Sequence, residues 1–127
     1  MTIDKELFDK LLKQAADNPR RRQNLDLRTS SADTSQRMLN ALLPGTEVAI
    51  HRHAETTETV ICLMGKLDEV FYEAACDGSD AFVEVRRVTL CPAEGSYGCQ
   101  IPQGMWHNVE VREPSVLFEA KDGAYIG

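Results

Sequence analysis

The sequence predicts an all-β domain, folded as a closed barrel or double-sheet jelly roll and preceded by one short α-helix. After residue 20, short stretches rich in Val, Ile, Leu and Phe alternate with Gly, Pro, Asn and Asp at intervals of about ten residues. Before residue 20, apolar side chains recur with the spacing of one helix face. Eight or nine short strands in this length favour closure, because closure hides the sheet edges.

The N-terminal helix is predicted over residues 4–17. Its apolar positions follow the stripe of an amphipathic helix, and Asn18-Pro19 ends it. An apolar stripe needs a partner, so we expect the helix to dock on the rest of the fold. The stripe consists of Leu7, Phe8, Leu11, Leu12 and Ala15.

Nine strands are predicted after the helix. Turn residues such as Pro44-Gly45, Gly65-Lys66, Pro102-Gln103-Gly104 and Glu113-Pro114 separate them. The absence of repeats and linkers predicts one domain over residues 1–127, with the docking helix in 1–19 and the barrel in 20–127. The strands are expected at residues 24–27, 36–43, 47–53, 58–64, 67–73, 81–90, 97–101, 105–111 and 116–121.

Length and charge narrow the function. A chain of 127 residues can bury a core without disulfides, and four cysteines without CxxC spacing are expected to be free thiols in a cytoplasmic protein. The longest apolar run, residues 60–64, is too short to cross a bilayer. Residues 46–127 carry net charge −8, which argues against nucleic acid as a partner. The triplet Arg20, Arg21 and Arg22 is the basic exception and could bind a phosphorylated small molecule.

All three histidines fall into one pattern. His51 and His53 lie two apart in a predicted strand and therefore leave the same face. Glu58 opens the next predicted strand, where its carboxylate can lie beside them. His107 follows the turn at Gly104, on a late strand that barrel closure could bring alongside. The sequence therefore predicts a metal site of His51, His53, Glu58 and His107.

The spacing Gly45-x5-His51-x-His53-x4-Glu58-x6-Gly65 resembles the first motif of the cupin superfamily, and Pro102-x-Gly104-x2-His107 resembles the second. The resemblance implies a cupin-type double-stranded β-helix and the same four metal ligands. Over roughly residues 7–125 the chain is similar to the WbuC-type cupin metalloproteins, which implies a link to bacterial surface polysaccharides. The fragments that carry this likeness are Pro19-Arg20-Arg21-Arg22, Gln36-Arg37, Pro44-Gly45-Thr46, His51-Arg52-His53, Ile101-Pro102-x-Gly104-x-Trp106-His107 and Glu119-x-Lys121-x-Gly123-x-Tyr125.

Three functions fit this ligand set. Three imidazole nitrogens and one carboxylate suit iron, manganese, nickel, cobalt or zinc and leave two open positions on an octahedral ion. Such an ion could stabilise an enediolate in a metal-dependent isomerase or epimerase acting on a sugar or nucleotide sugar. The alternatives are an Fe(II)-dependent dioxygenase and a non-catalytic carbohydrate-binding or sensor protein.

The sequence offers several candidates for the remaining roles. Glu119 and Lys121 share a face of the last strand and, with Tyr97, are candidate catalytic residues. Arg20, Arg21, Arg22 and Tyr125 are candidate substrate-binding residues. Strand alternation turns Val48 and Ile50 away from the histidine face. Either the strand is irregular, or that face is covered by the N-terminal helix or by a homodimer partner; a homodimer is predicted.

Overall fold

The computed structural model describes residues 1–123, and its elements confirm an all-β fold with one N-terminal helix. The helix is α1 (Lys5–Asp17). The strands are β1 (Arg22–Asp26), β2 (Ser35–Leu42), β3 (Glu58–Ala74), β4 (Phe82–Leu90), β5 (Gly98–Ile101) and β6 (Trp106–Asp122), with a 3₁₀ turn at Pro92–Glu94. Within residues 1–123, no helix combines the length and the apolar character needed to span a bilayer.

Two long strands, β3 and β6, organise the sheet, which is antiparallel with the order β1-β2-β6-β3-β4. They pair along nearly their whole length, and the register shifts between Cys62 and Leu67. The first half of β3 also pairs with β5, and its second half pairs with β4. Because neighbours change at the shift, each long strand takes part in both layers of the jelly roll.

The predicted turns at Gly65-Lys66 and Glu113-Pro114 are wrong, because both lie inside continuous strands. At Gly65 φ is +94°, and an added Cβ would clash with the carbonyl oxygen of Pro114 and with Ser115. The Lys66 amide donates to Ser115 Oγ at 3.0 Å, which ties the two strands together at their irregular point. Gly65 therefore allows a bulge and a close strand crossing here rather than a chain reversal.

The strand predicted over residues 47–53 is also wrong. The segment is irregular and has a single bridge, between His51 and His107. Strand alternation had placed Val48 and Ile50 on the face opposite the histidines, but alternation does not apply to an irregular segment. Val48 in fact lines a cavity on the same side as His51. The homodimer remains a prediction.

Apolar side chains form two clusters, one on each face of β2. Leu39 and Ala41 pack outward against Leu11 and Ala15 of α1, so the predicted stripe docks on the sheet as expected. Between the layers, the inner cluster consists of Leu42, Val60, Cys62, Leu67, Phe71, Leu90, Ile101 and Leu117. The period-2 alternation along β2 thus leaves its even-numbered residues facing the interior of the barrel.

Asp4 caps α1, because its carboxylate accepts from the Leu7 amide at 3.0 Å. We expect Asp4→Ala to lower the free energy of unfolding by about 1 kcal/mol, measured by urea denaturation, because an amide of the first turn loses its acceptor. Asp4→Asn keeps an acceptor at the cap and should cost clearly less. Equal losses in the two variants would show that charge at the helix terminus, rather than the cap bond, is responsible.

Candidate metal centre and its cavity

The three histidines meet in the interior of the barrel, although they come from an irregular segment and from β6. The His51 amide donates to the His107 carbonyl at 3.0 Å, and the His107 amide donates back at 2.8 Å. The Gly104 amide donates to the His53 carbonyl at 2.8 Å. These bonds join the two sequence motifs directly, and one potential ligand atom from each imidazole lies within 4.8 Å of the others.

Hydrogen bonds orient two of the imidazole rings. Nδ1 of His51 lies 2.9 Å from the carbonyl oxygen of Ala49, and Nδ1 of His107 lies 2.9 Å from that of Met105. A carbonyl can only accept, so Nδ1 carries the proton of each neutral ring and Nε2 is the nitrogen with the lone pair. This backbone support is typical of imidazoles that bind a metal through Nε2.

His107 is held in the neutral form that a metal requires. It is 2% exposed, and burial, with His51 nearby, lowers its pKa to about 4, even though the bond to Met105 acts in the opposite direction. The imidazole is therefore uncharged at neutral pH, and no proton has to leave before a cation is bound.

Glu58, at the first position of β3, lies beside His53 at the edge of the cluster of three histidines. The Oε2 atom of Glu58 lies 2.9 Å from Nε2 of His53, but the two atoms are not aligned for a hydrogen bond. The buried Nε2 has no hydrogen-bond partner among residues 1–123. A cation held between these atoms would satisfy both. The residues present thus fit a divalent transition metal, since neutral nitrogens and a carboxylate suit such ions.

The histidines open into a cavity of about 230 Å³. Strand β2 contributes its even-numbered residues to the lining, and β1 adds Arg22 and Asn24. Glu58 and Glu69 of β3 and Val109 and Glu119 of β6 also line the cavity. The β2 residues are Gln36, Met38, Asn40 and Leu42.

Two carboxyl groups in this cavity favour their protonated forms. Burial raises the pKa of Glu119 to about 8, and the charge of Glu58 adds to the effect, against a hydrogen bond from Asn40. Glu69 is 2% exposed, and burial first, then Glu119 and Glu58, raises its pKa well above its ordinary value. Both groups are therefore able to hold a proton near neutral pH.

The structure separates the other predicted site residues. Glu119, Arg20 and Arg22 line the cavity. Lys121 is buried opposite Glu58 in the register but does not line the cavity. Tyr125 lies outside the described residues.

Tyr97 and Arg21 are placed away from the cavity. Tyr97 precedes β5 and is 60% exposed, and Arg21 is an exposed residue with φ of 58°. Neither belongs to the cavity lining, so the structure gives no support to their predicted catalytic and substrate-binding roles.

Cys62 packs in the inner cluster, where its thiol donates to the Met64 carbonyl at 3.2 Å.

A contact outside the cavity supports the histidine-bearing segments. Arg52 lies between the paired histidines, and its guanidinium carbon is 4.5 Å from the ring centre of Trp106, the neighbour of His107. The Trp106 ring in turn packs on Phe82 at 5.0 Å between ring centres. This cation–π contact fastens the irregular segment to β6 from the side opposite the metal ligands.

Sequence reasoning missed several residues of the cavity, namely Asn24, Gln36, Met38, Asn40 and Glu69. Gln36, Met38 and Asn40 alternate along β2, so a shared face could have been found from the sequence. Which of the two β2 faces turns inward depends on where α1 docks, and the sequence does not specify this docking.

Comparison with solved structures places this architecture in a known fold. KdgF from Halomonas sp. superposes with a TM-score of 0.62 at 13% identity, covering 85% of this chain and 84% of that one. The capsular polysaccharide assembling protein CapF from Staphylococcus aureus gives 0.63 at 18% identity over 86% of this chain but only 30% of CapF. The Cnp3 cupin domain of Schizosaccharomyces pombe gives 0.54 at 10% identity, covering 81% and 65%. At such identities the likeness establishes the cupin jelly-roll fold.

Sequence comparison adds a family. No curated protein matches the chain significantly. A family model described as a domain of unknown function, DUF6016, matches residues 3–83, which include α1, β1, β2 and the segment carrying His51, His53 and Glu58. The chain belongs to the DUF6016 family and has the cupin fold.

Proposed function

We propose that His51, His53, Glu58 and His107 bind a divalent transition metal. We further propose that the protein is a metal-dependent isomerase or epimerase that acts on a carbohydrate derivative. The observation that carries this is the convergence of the imidazoles, with the Nε2 lone pairs of His51 and His107 set by backbone bonds to Nδ1. The resemblance to WbuC-type cupins, and the likeness in fold to a capsular polysaccharide assembling protein, favour surface-polysaccharide metabolism as the setting.

The cavity supplies the other parts of such a reaction. A bound divalent ion would act as a Lewis acid on a carbonyl or hydroxyl oxygen of the substrate. Glu119 faces the same cavity with a pKa near 8, so its carboxyl group can take up and return a proton at neutral pH. Arg20 and Arg22 lie where they can bind an anionic group of the substrate.

The size of the cavity limits the substrate. A volume of 230 Å³ lies below the range of about 300–1,000 Å³ typical of drug-sized ligands. It is suited to a single sugar ring. If the substrate is a nucleotide sugar, its nucleotide portion has to lie outside, beyond the arginines.

Solvent isotope exchange tests the reaction. Metal-loaded protein in D2O should incorporate deuterium at a carbon next to the carbonyl or hydroxyl group of at least one member of a panel of sugar phosphates and nucleotide sugars. Metal-depleted protein and Glu119→Gln should lose the exchange. Binding without exchange would instead favour a non-catalytic carbohydrate-binding protein, and oxygen uptake by the Fe(II) form alone would favour the dioxygenase.

The arginine triplet contains its own control, because Arg20 lines the cavity and Arg21 does not. We expect Arg20→Gln to weaken binding of D-glucose 6-phosphate by about three- to tenfold in isothermal titration calorimetry, since a charge-assisted hydrogen bond to the phosphate is lost. Arg21→Gln removes the same charge from the surface and should leave the affinity unchanged. Equal weakening by both variants would point to general electrostatic attraction rather than to a bound anion.

A further inference from the structure

The part of the cavity lined by β1 and β2 carries three amide side chains, Asn24, Gln36 and Asn40, which we call the amide wall. Gln36 and Asn40 face inward from the same side of β2. Asn24 of β1 lies directly opposite Asn40 in the antiparallel register. The metal ligands come from other parts of the chain, so the amide wall is a separate feature of the same cavity.

Two oxygens of the amide wall lack partners. Gln36 Oε1 and Asn40 Oδ1 are both inaccessible to solvent, and neither has a hydrogen-bond partner among the described residues. Gln36 as a whole is only 3% exposed. A buried acceptor without a partner destabilises a fold, and most buried polar groups in native proteins are satisfied. Asn40 also donates a hydrogen bond to Glu119, but that bond leaves its own oxygen unpaired, so a role in stabilising the barrel does not account for the two acceptors.

We propose that the amide wall binds the hydroxyl groups of a polyhydroxylated ligand the size of one monosaccharide. The orphaned atoms are acceptors, so the matching ligand groups are donors, and a hydroxyl can donate to an amide oxygen. The last torsion of Asn and Gln is soft, so rotation about it can turn each oxygen toward a bound ligand. This inference deepens the proposed function and takes from it the carbohydrate class of the ligand.

The amide wall also predicts selectivity against apolar ligands. An apolar molecule of the same size would leave both amide oxygens unpaired after binding, whereas a sugar would satisfy them. Sites built to pair with hydroxyls reject analogues that lack them more strongly than apolar pockets reject added hydroxyls. The cavity should therefore distinguish ligands by their hydroxyls, apart from the charge that Arg20 and Arg22 recognise.

Isothermal titration calorimetry with two matched ligand pairs tests this. D-glucose 6-phosphate is compared with n-hexyl phosphate, and D-gluconate with hexanoate, so each pair shares its anionic group and differs in hydroxyls. We expect at least one hydroxylated ligand to bind at least about tenfold more tightly than the apolar ligand of its pair. The pair that shows this difference identifies whether the cavity prefers a phosphate or a carboxylate. Equal affinity within both pairs, or binding of neither hydroxylated anion, would overturn the inference.

Substitutions in β2 connect the effect to the amide wall. Gln36→Met and Asn40→Leu remove the amides while filling similar volumes, and each should weaken binding of the hydroxylated ligand about tenfold. Met38→Leu is the control, because Met38 lies between them on the same inward face. If both amide variants bind as tightly as the wild type, the amide wall does not hold the ligand.

Thermal stability separates a binding role from a structural one. Because Gln36 Oε1 has no partner, Gln36→Met should keep or raise the Tm of the ligand-free protein while it loses affinity. A clear drop in Tm would mean that Gln36 is satisfied in solution and stabilises the barrel, which would contradict the inference.

Metal content, measured on the same samples, keeps the two proposals apart. Stoichiometric metal without preference for hydroxylated ligands would overturn only the amide wall. Hydroxyl-dependent binding by a protein that takes up no metal would overturn the metal-dependent reaction and leave the amide wall in place.

Discussion

Replacing His107 with alanine should remove nearly all bound metal from the purified protein. The imidazole is one of three converging nitrogen donors, is 2% exposed and is neutral at physiological pH. Loss of a partner that merely orients a ligand commonly costs about 10–100-fold in metal affinity, so loss of a ligand itself should exceed about 100-fold. Elemental analysis by plasma mass spectrometry after gel filtration gives metal per chain directly.

The metal analysis of His107→Ala needs a control variant from the same strand. Val109→Ala also shortens a side chain of β6 that lines the cavity, but valine offers no ligand atom, so this variant should retain its metal. His51→Ala should behave like His107→Ala. If the wild-type protein acquires no metal after incubation with Fe(II), Mn(II), Co(II), Ni(II) and Zn(II), or if both histidine variants keep it, the metal assignment is wrong.

Glu119→Gln should stabilise the metal-free protein at high pH. The pKa of Glu119 is raised from 4.5 to about 8 in the folded state, so between these values the folded chain holds a proton that the unfolded chain has released. The wild type therefore loses stability as pH rises toward and through 8, whereas glutamine does not titrate. The advantage of Glu119→Gln over the wild type in free energy of unfolding should be about 2 kcal/mol larger at pH 9 than at pH 6.

Urea denaturation of both proteins at the two pH values measures this difference. Glu73→Gln is the matched control, since Glu73 is an exposed carboxyl near the end of β3 and its removal should change stability little at either pH. Metal-loaded protein provides a second check, because a cation in the cavity favours the ionised carboxylate. The difference in free energy of unfolding between wild type and Glu119→Gln should then be smaller. A gap that does not change with pH would show that Glu119 ionises normally in the folded state.

The sequence was informative about the fold where the pattern was local. The stripe of α1 and the alternation along β2 depend on neighbouring residues, and both appear in the structure. The two false turns had the correct residue types, but Gly65 uses its positive φ for a bulge against Ser115, a contact 50 residues along the chain. Whether a glycine allows a turn or a bulge depends on the strand that crosses it.

The candidate metal centre was likewise predictable in part. The histidine spacing brings His51 and His53 together within a few residues, and the late turn at Gly104 identifies His107. The regular strand assumed for residues 47–53 was wrong, yet the histidines still converge, because the bridge between His51 and His107 positions them. Glu69 was not foreseen, since its inward direction follows from the register between β3 and β6.

That bridge has a consequence for folding kinetics. It joins residues far apart in the chain, so we expect the three nitrogen donors to come together only after β6 has paired with β3. Pairings of this kind form late and slowly, because the entropy of closing the loop is lost before the stabilising contacts are made. A metal that requires all three imidazoles therefore binds after the barrel has closed, and it should retard unfolding more than it accelerates folding.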